Sequence, residues 1–274
     1  MKVRIISWNI WDIPFWFSVK RHERIHQIGH FLREHQADII ALQESFDIKH
    51  RDLILKDLGE EYFITEGYDR SRRVFLFKKF DLTGGLVIYS RYPIIASSFE
   101  PFGRKLRYGL VERVGRKGFL KSVIKVNSVS LLVINTHLFT GNHIIAEMFR
   151  QRQISNILDK LERLRGEIPV FLMGDLNADF EQETKAEALL LRSGFKDSAK
   201  ILNKNISNLT TYNKDNRYTH VWFNDTNKDQ RLDYILVRDL EKFNIKLTNF
   251  EVIKQSSKNL LSDHDPVMVD IEVE

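Results

Sequence analysis

The chain has 274 residues, of which 43% are hydrophobic and 29% charged, a balance typical of a globular protein with a sizeable core. It contains no cysteine, which excludes a disulfide framework, a thiolate nucleophile and a cysteine-based zinc site. There is no apolar run of membrane-spanning length, and "MKVRIISWNI" leads directly into a strand instead of a signal peptide. We therefore expect a monomer that is cytoplasmic or bound peripherally to a membrane.

The net charge of +5 is unevenly distributed. Between Arg70 and Lys121, thirteen Lys or Arg residues stand against three Asp or Glu, so this block carries +10 and the remainder of the chain −5. A basic block beside an acidic remainder indicates an anionic partner, either a membrane surface or a nucleic acid. The alternative interpretation is a solvated face.

Strand-like segments dominate the chain, and most are nearly continuous apolar runs, as expected of strands buried on both faces. In chain order they read VRIISWN, ADIIALQE, GGLVIYS, LLVINTHL, IPVFLMGDLN, RLDYILV and PVMVDIEV. Helices are predicted over residues 20–35, from about His143 to Arg165, and over Glu183–Arg192. No repeat or linker divides the chain, so we predict one domain over residues 1–274. The order of elements favours sheets stacked face to face with helices outside.

Polar side chains recur where these strands end. Six strand ends carry carboxylates, carboxamides or imidazoles: Asn9, Glu44, Asn135 to His137, Asp175 with Asn177, Asp233, and Asp263 with His264. Singly, such a residue is more typical of a hydrogen-bonded core or turn position. Together they indicate one site, built where the strands converge.

The composition of this set predicts a chemistry. Carboxylates and carboxamides without cysteine suit a hard cation such as Mg²⁺. Asp175 and Asn177 are two residues apart and therefore lie on the same side of an extended chain. His264 stands beside a carboxylate, an arrangement typical of a general base. Because no serine or cysteine nucleophile stands out, direct attack by water is the simplest mechanism, with metal polarisation of a phosphoryl oxygen.

These segments resemble the endonuclease/exonuclease/phosphatase superfamily of metal-dependent phosphoesterases. The matching motifs are "WN", "QE", "NTHL", "GDLN", "RLDYIL" and "SDHDPV", in family order over almost the whole chain. The resemblance implies an α/β fold, a DNase-I-like four-layer α/β/β/α sandwich of two mostly antiparallel mixed sheets flanked by helices. It also implies a Mg²⁺ cofactor, with Mn²⁺ as the alternative.

The resemblance implies a role for each residue. Glu44 corresponds to the principal metal ligand, with Asn9 and Asp263 close to the metal. His264 corresponds to the general base, oriented by Asp233, whereas Asp265 is interpreted as a turn residue. The resemblance also implies that Asp175 and Asn177 position the attacking water and the phosphate. His137 would stabilise the charge that develops on the phosphoryl oxygens.

Two stretches resemble neutral sphingomyelinases within this superfamily, namely "NIWDIPFWFSVKRHERIHQIGHFL" and "RKGFLKSVIKV". In the second, Lys117 is the predicted substrate-binding residue, and a solvated turn lysine is the alternative. The resemblance implies hydrolysis of sphingomyelin or a related choline phospholipid at a membrane surface, with release of phosphocholine.

An enzyme of this kind must work at an interface, where aromatic side chains ringed by cations act as anchors. We predict membrane contact for Trp11, Phe15, Trp16 and Phe17, followed by Lys20 and Arg21, and the segment "RRVFLFKKF" has a similar composition. The alternative is that these aromatic residues cover the core.

Two other functions remain open. A DNA nuclease or DNA-end-processing phosphodiesterase would use the basic block to bind nucleic acid, although "QESF" differs from the "QETK" of apurinic endonucleases. An inositol 5-phosphatase is disfavoured, because those enzymes carry "GDLNYR" where this chain has "GDLNAD". A non-catalytic lipid- or nucleic-acid-binding module would keep only the fold, and the complete set of polar groups argues against it.

Overall fold

The computed structural model describes residues 1–14, 17–65, 83–103, 115–141, 144–180, 184–221 and 228–274. Phe15, Trp16, the segment "RRVFLFKKF" and most of the basic block lie outside the described residues. None of the helices in the described ranges combines the length and the apolarity that crossing a membrane requires.

The described residues form twelve strands. They are β1 (Lys2–Asp12), β2 (Ile39–Ser45), β3 (Phe63–Ile64), β4 (Val87–Ser90), β5 (Ile94–Pro101), β6 (Gly118–Val126), β7 (Val129–His137), β8 (Val170–Asp175), β9 (Lys196–Asp197), β10 (Asp233–Arg238), β11 (Ile245–Val252) and β12 (Val267–Val273). One sheet has the order β11-β12-β1-β2-β4-β3 and the other β5-β6-β7-β8-β10-β9. Both are mixed, because β1 pairs with β2 and β7 with β8 in parallel while the remaining pairs are antiparallel.

Five α-helices accompany the sheets in these ranges: α1 (Arg21–Glu34), α2 (Ile48–Leu58), α3 (Ile144–Leu161), α4 (Lys185–Arg192) and α5 (Ser198–Ile201). The side chain of Asp47 caps α2 by accepting a hydrogen bond from the backbone N–H of Lys49. The side chain of Thr184 caps α4 by accepting one from the backbone N–H of Glu187. A 3₁₀ turn, Glu162–Leu164, follows α3, and the chain then turns at Gly166 with a φ of 75°.

Three apolar layers hold these elements together. Between the sheets, Ile5 and Val269 of one sheet belong to the same buried cluster as Phe171 of the other. Outside the first sheet, Ile28 of α1 and Ile54 of α2 share a second cluster with Trp8. A third cluster joins α3 and α4 to the second sheet. The predicted α/β/β/α sandwich is therefore confirmed.

The three predicted helices are present as α1, α3 and α4, but α2, β5 and β11 were not among the predicted elements. The strands β5 and β11 expose many of their side chains, so neither shows a continuous apolar run. On α2, the buried positions include His50 and Arg51, which obscure its helical pattern.

Candidate active site

Strand pairing places three of the predicted side chains side by side. His137, the last residue of β7, is in register with Asp175, the last residue of β8. Asp233, the first residue of β10, is in register with the same Asp175 from the other side. The ends of β7 and β8 and the start of β10 therefore meet at one edge of the second sheet.

The glycine of "GDLN" makes this close pairing possible. Gly174 has a φ of 139°, and a Cβ placed on it would lie 1.9 Å from the carbonyl oxygen of Thr136 on β7. Only glycine combines this backbone conformation with such a close approach of the neighbouring strand. Asp175 follows immediately, so the glycine determines where its carboxylate lies.

His264 and Asp233 form a buried hydrogen-bonded pair. Nδ1 of His264 lies 2.7 Å from Oδ2 of Asp233, and the indole Nε1 of Trp8 donates to the carbonyl oxygen of His264 at 2.8 Å. Burial alone would lower the pKa of His264, but Asp233, Asp175 and Asp263 together raise it well above its usual value. Burial raises the pKa of Asp233 to about 6, although the charge and the hydrogen bond of His264 act to lower it.

Asp175 lies at the centre of the site. Its Oδ2 accepts from Nδ2 of Asn9 at 3.0 Å, and its Oδ1 accepts from the backbone N–H of Asn177 at 2.9 Å. Nε2 of His137 lies 3.5 Å from Oδ2, and Nε2 of His264 lies 3.7 Å from the same oxygen. Burial would raise the pKa of Asp175, but the two histidines and the Asn9 hydrogen bond lower it, so this carboxylate is ionised.

Glu44, the penultimate residue of β2, has a positive φ of 54° and faces the same site. Its Oε1 lies 3.8 Å from Nδ1 of His137. Its Oε2 is buried and has no hydrogen-bond partner among the described residues. Burial, together with the nearby Asp263, raises the pKa of Glu44 to about 8.

The site has the properties that a divalent cation requires. Burial and neighbouring carboxylates also raise the pKa of Asp263, whose Oδ1 accepts from Ser262 at 3.2 Å. The side-chain oxygen Oδ1 of Asn9 accepts a hydrogen bond from the backbone N–H of Trp11 at 3.1 Å. A carbonyl oxygen has two lone pairs, so the second one remains. Several mutually repelling carboxylates, one of them with an unpaired oxygen, suit Mg²⁺. The ligand atoms of Asp175, Asp233 and His264 also lie within 4.8 Å of one another. The hydrogen bond between the latter two uses Nδ1 of His264 and Oδ2 of Asp233, whereas Oδ1 of Asp233 is buried without a hydrogen-bond partner among the described residues.

His137 and Lys117 form the other wall. Burial, followed by the charge of Lys117, lowers the pKa of His137 to about 3, so its imidazole is neutral and can donate one N–H. Nζ of Lys117 donates to the carbonyl oxygen of Leu138 at 2.6 Å and to Oγ1 of Thr140 at 3.1 Å. Lys117 is only 9% exposed, so the alternative of a solvated turn lysine is wrong.

The structure adds residues that the sequence pattern did not indicate. The ring of Tyr212 lies 4.9 Å from the ring of His264, and Oγ1 of Thr211 accepts from the backbone N–H of Asp233 at 3.2 Å. Asp265 is more than a turn residue, because it is buried and accepts from Nδ2 of Asn213 at 2.7 Å. Tyr212 and Thr211 lie outside the twelve strands, in a segment without periodicity.

The aromatic residues at the end of β1 and in the loop after it differ from the prediction. Trp11 is only 4% exposed and packs against Tyr218, with ring centroids 5.2 Å apart, and against Arg24. The prediction that Trp11 contacts a membrane is therefore wrong, since a positive φ of 50° and these contacts bury it. Phe17 is 47% exposed, whereas Phe15 and Trp16 lie outside the described residues.

Comparison with known proteins assigns the fold and the site to a family. The model of the endonuclease/exonuclease/phosphatase family matches residues 6–264. The chain belongs to this family. This match confirms the resemblance predicted from the six motifs.

A curated relative and two solved structures are similar to this family member. Sphingomyelinase C 2 from Leptospira interrogans serogroup Icterohaemorrhagiae serovar Lai (strain 56601) is 24% identical over 196 residues, 65% of this chain and 31% of the relative. The chain thus spans about a third of the length of that protein. The structure of D. rerio TDP2 complexed with a single-strand DNA product is 18% identical, covers 99% of both chains and has a TM-score of 0.73. A magnesium-bound beta toxin variant from Staphylococcus aureus is 19% identical, covers 98% of this chain and 99% of its own, and also has a TM-score of 0.73.

Proposed function

We propose that the protein is a Mg²⁺-dependent phosphodiesterase that hydrolyses sphingomyelin or a related choline phospholipid by attack of water and releases phosphocholine. The observation that carries the choice of substrate is the similarity to Sphingomyelinase C 2, which extends over 196 residues. The magnesium ions in the beta toxin structure support the choice of cation, as does the unpaired Oε2 of Glu44. The proposed partner is a phospholipid membrane.

The geometry supports different roles for the two sides of the site, namely metal binding on one side and proton transfer on the other. Glu44, Asn9 and Asp263 would hold the cation, which supplies polarisation of the phosphoryl oxygen when bound. On the opposite side, Nε2 of the unprotonated His264 accepts the proton of the attacking water, while its Nδ1 remains hydrogen-bonded to Asp233 at 2.7 Å.

Three further groups orient the reactants. Asp175 and Asn177 position the water and the phosphate, because the N–H of Asn177 fixes the carboxylate of Asp175 at 2.9 Å. His137 donates to a phosphoryl oxygen as charge develops there, which a neutral imidazole can do. Lys117 contributes positive charge close to the substrate phosphate from its position beside Leu138.

A DNA phosphodiesterase is the second candidate. The TDP2 structure with its DNA product has the same fold at a similar TM-score, and the basic block between Arg70 and Lys121 suits a phosphate backbone. Both candidates use the same catalytic residues, so only the substrate distinguishes them.

A two-substrate assay tests the proposal. The wild-type protein is incubated with sphingomyelin vesicles and, separately, with single-stranded DNA and an abasic-site duplex, each with Mg²⁺ and with EDTA. Mg²⁺-dependent release of phosphocholine with intact DNA is expected. Cleavage of DNA with intact sphingomyelin would replace the proposal by the second candidate.

A further inference from the structure

An exposed apolar cluster lies on the first turn of α3. Ile144, Ile145 and Met148, here called the Ile144 patch, are 80%, 50% and 46% exposed. Among the ten large apolar side chains that are exposed in the described part of the chain, these three are the ones grouped within a single helical turn. Single exposed apolar residues are ordinary, whereas a grouped set marks a contact surface.

The opposite side of α3 packs into the protein. Ala146, Arg150 and Ile157 are buried there, so the Ile144 patch is the outward side of an amphipathic helix. Glu147 lies between the two sides of the helix. Nη2 of Arg150 lies 3.3 Å from its carboxylate, and this ion pair neutralises the negative charge of Glu147. One turn further along, the exposed Arg152 adds a cation beside the apolar surface.

The patch is joined rigidly to the catalytic residues. The connection from His137 to Ile144 is seven residues long, which limits their separation to about 25 Å. Nη1 of Arg150 donates to the carbonyl oxygens of Phe139 and Gly141 at 3.2 and 2.7 Å, and Oε1 of Gln153 accepts from the N–H of Phe139 at 2.8 Å. The helix that carries the patch therefore also contacts the segment that directly follows β7, the strand that ends at His137.

Lys117 connects the same loop to the site. Its Nζ donates to the carbonyl oxygen of Leu138, which also accepts from Nδ2 of Asn177 at 3.2 Å. The patch therefore lies at the same end of the second sheet as Lys117 and Asn177.

We propose that the Ile144 patch inserts into the facing leaflet of a phospholipid bilayer and holds the mouth of the active site against it. This inference rests on the proposed lipid substrate and adds a docking surface on α3, separate from the loop that contains Phe17. Two isoleucines and a methionine match the apolar boundary of the leaflet, and Arg152 lies where lipid phosphates are found.

Vesicle binding tests the docking surface independently of turnover. A patch variant carries Ile144→Gln, Ile145→Gln and Met148→Gln, because glutamine keeps helix propensity while removing apolar surface. The matched control carries Ile95→Gln, Leu191→Gln and Ile201→Gln, positions that are 59%, 49% and 41% exposed elsewhere on the molecule. Co-sedimentation with phosphatidylcholine–sphingomyelin vesicles is measured in EDTA, with thermal unfolding as the check of folding.

We expect the patch variant to lose at least about tenfold in vesicle partitioning, whereas the control keeps wild-type binding. Unchanged binding of the folded patch variant, or an equal loss in the control, would overturn the proposal.

Activity then separates this inference from the proposed function. With a water-soluble phosphocholine ester the patch variant should keep the wild-type rate, and on vesicles it should lose at least about tenfold. Wild-type turnover of vesicles by the folded patch variant overturns the docking surface alone. Patch-dependent vesicle binding without any phosphocholine release supports the docking surface and overturns the proposed substrate.

Discussion

Nδ1 of His264 lies 2.7 Å from Oδ2 of Asp233, and both side chains are buried at the meeting point of β10 and the segment before β12. This contact fixes the direction of the imidazole and leaves Nε2 facing Asp175 at 3.7 Å. A base held in this way has one nitrogen for the proton of water and one for its orienting carboxylate.

Asp233→Asn should lower kcat by about 10²–10⁴-fold, because an amide no longer stabilises the protonated imidazole or fixes its tautomer. KM should change little, since Asp233 acts through His264. Steady-state kinetics of phosphocholine release would measure both. Asp159→Asn, at an exposed position of α3, is the matched control and should retain wild-type kinetics. A normal kcat in Asp233→Asn would remove Asp233 from its orienting role.

Glu44→Gln should weaken Mg²⁺ binding by at least about tenfold, because it replaces the charged ligand whose Oε2 is otherwise unpaired. Titration calorimetry with the metal alone would measure this without any substrate. Glu60→Gln, on the surface between α2 and β3, provides the control. Equal affinity in Glu44→Gln and the wild type would exclude Glu44 as the principal ligand.

The raised pKa of Glu44 also predicts how stability depends on pH. Its folded pKa is about 8 against an ordinary value of 4.5, so its contribution to stability is present below pH 4.5 and is lost as the pH rises through 8. The Tm of the metal-free wild type should therefore fall over this interval more than the Tm of Glu44→Gln. Added Mg²⁺ should restore the wild-type Tm at high pH. Parallel pH profiles of the two metal-free proteins would contradict this.

Gly174→Ala should destabilise the protein by about 2 kcal/mol or more, because its Cβ would lie 1.9 Å from the carbonyl oxygen of Thr136 and its φ of 139° is strained for alanine. Denaturant unfolding would measure the free energy. Gly103→Ala is the control, since nothing lies within 4 Å of a Cβ there. If both variants unfold at the same denaturant concentration, the close approach of β7 and β8 is not essential.

Lys117→Met should lower kcat/KM at least about tenfold, because it removes a buried cation beside the phosphate position. Lys125→Met removes a solvent-exposed hydrogen bond from Nζ of Lys125 to the carbonyl oxygen of Ser128 and should have no effect. Lys125 lies on β6, the strand that begins directly after Lys117. Comparison of the two variants on vesicles checks the role of Lys117. Equal kcat/KM values would leave it with a structural role only.

Much of the site could be predicted from the sequence, because Asn9, Glu44, Asp175 and Asp233 lie at or near the ends of strands whose apolar runs are easily recognised. Their motifs also follow the order of the family. Tyr212 lies in an irregular segment, and its position beside His264 depends on contacts across more than fifty residues of chain, which no local pattern expresses.

The prediction for Trp11 failed for a related reason. An aromatic residue close to a loop with further aromatic residues is compatible with exposure, but Tyr218 and Leu260, far along the chain, cover Trp11 at the end of β1. Edge strands such as β5 were not predicted because one-sided packing leaves no continuous apolar run. Local patterns thus predict buried central strands better than edges and covering loops.

The most direct test of proton transfer by His264 is phosphocholine release from sphingomyelin vesicles by the wild type and His264→Ala, at saturating Mg²⁺. The wild type should release phosphocholine, and the variant should fold and bind Mg²⁺ but turn over at least about 10²-fold more slowly. Turnover by His264→Ala within about twofold of the wild type would contradict its role as the base.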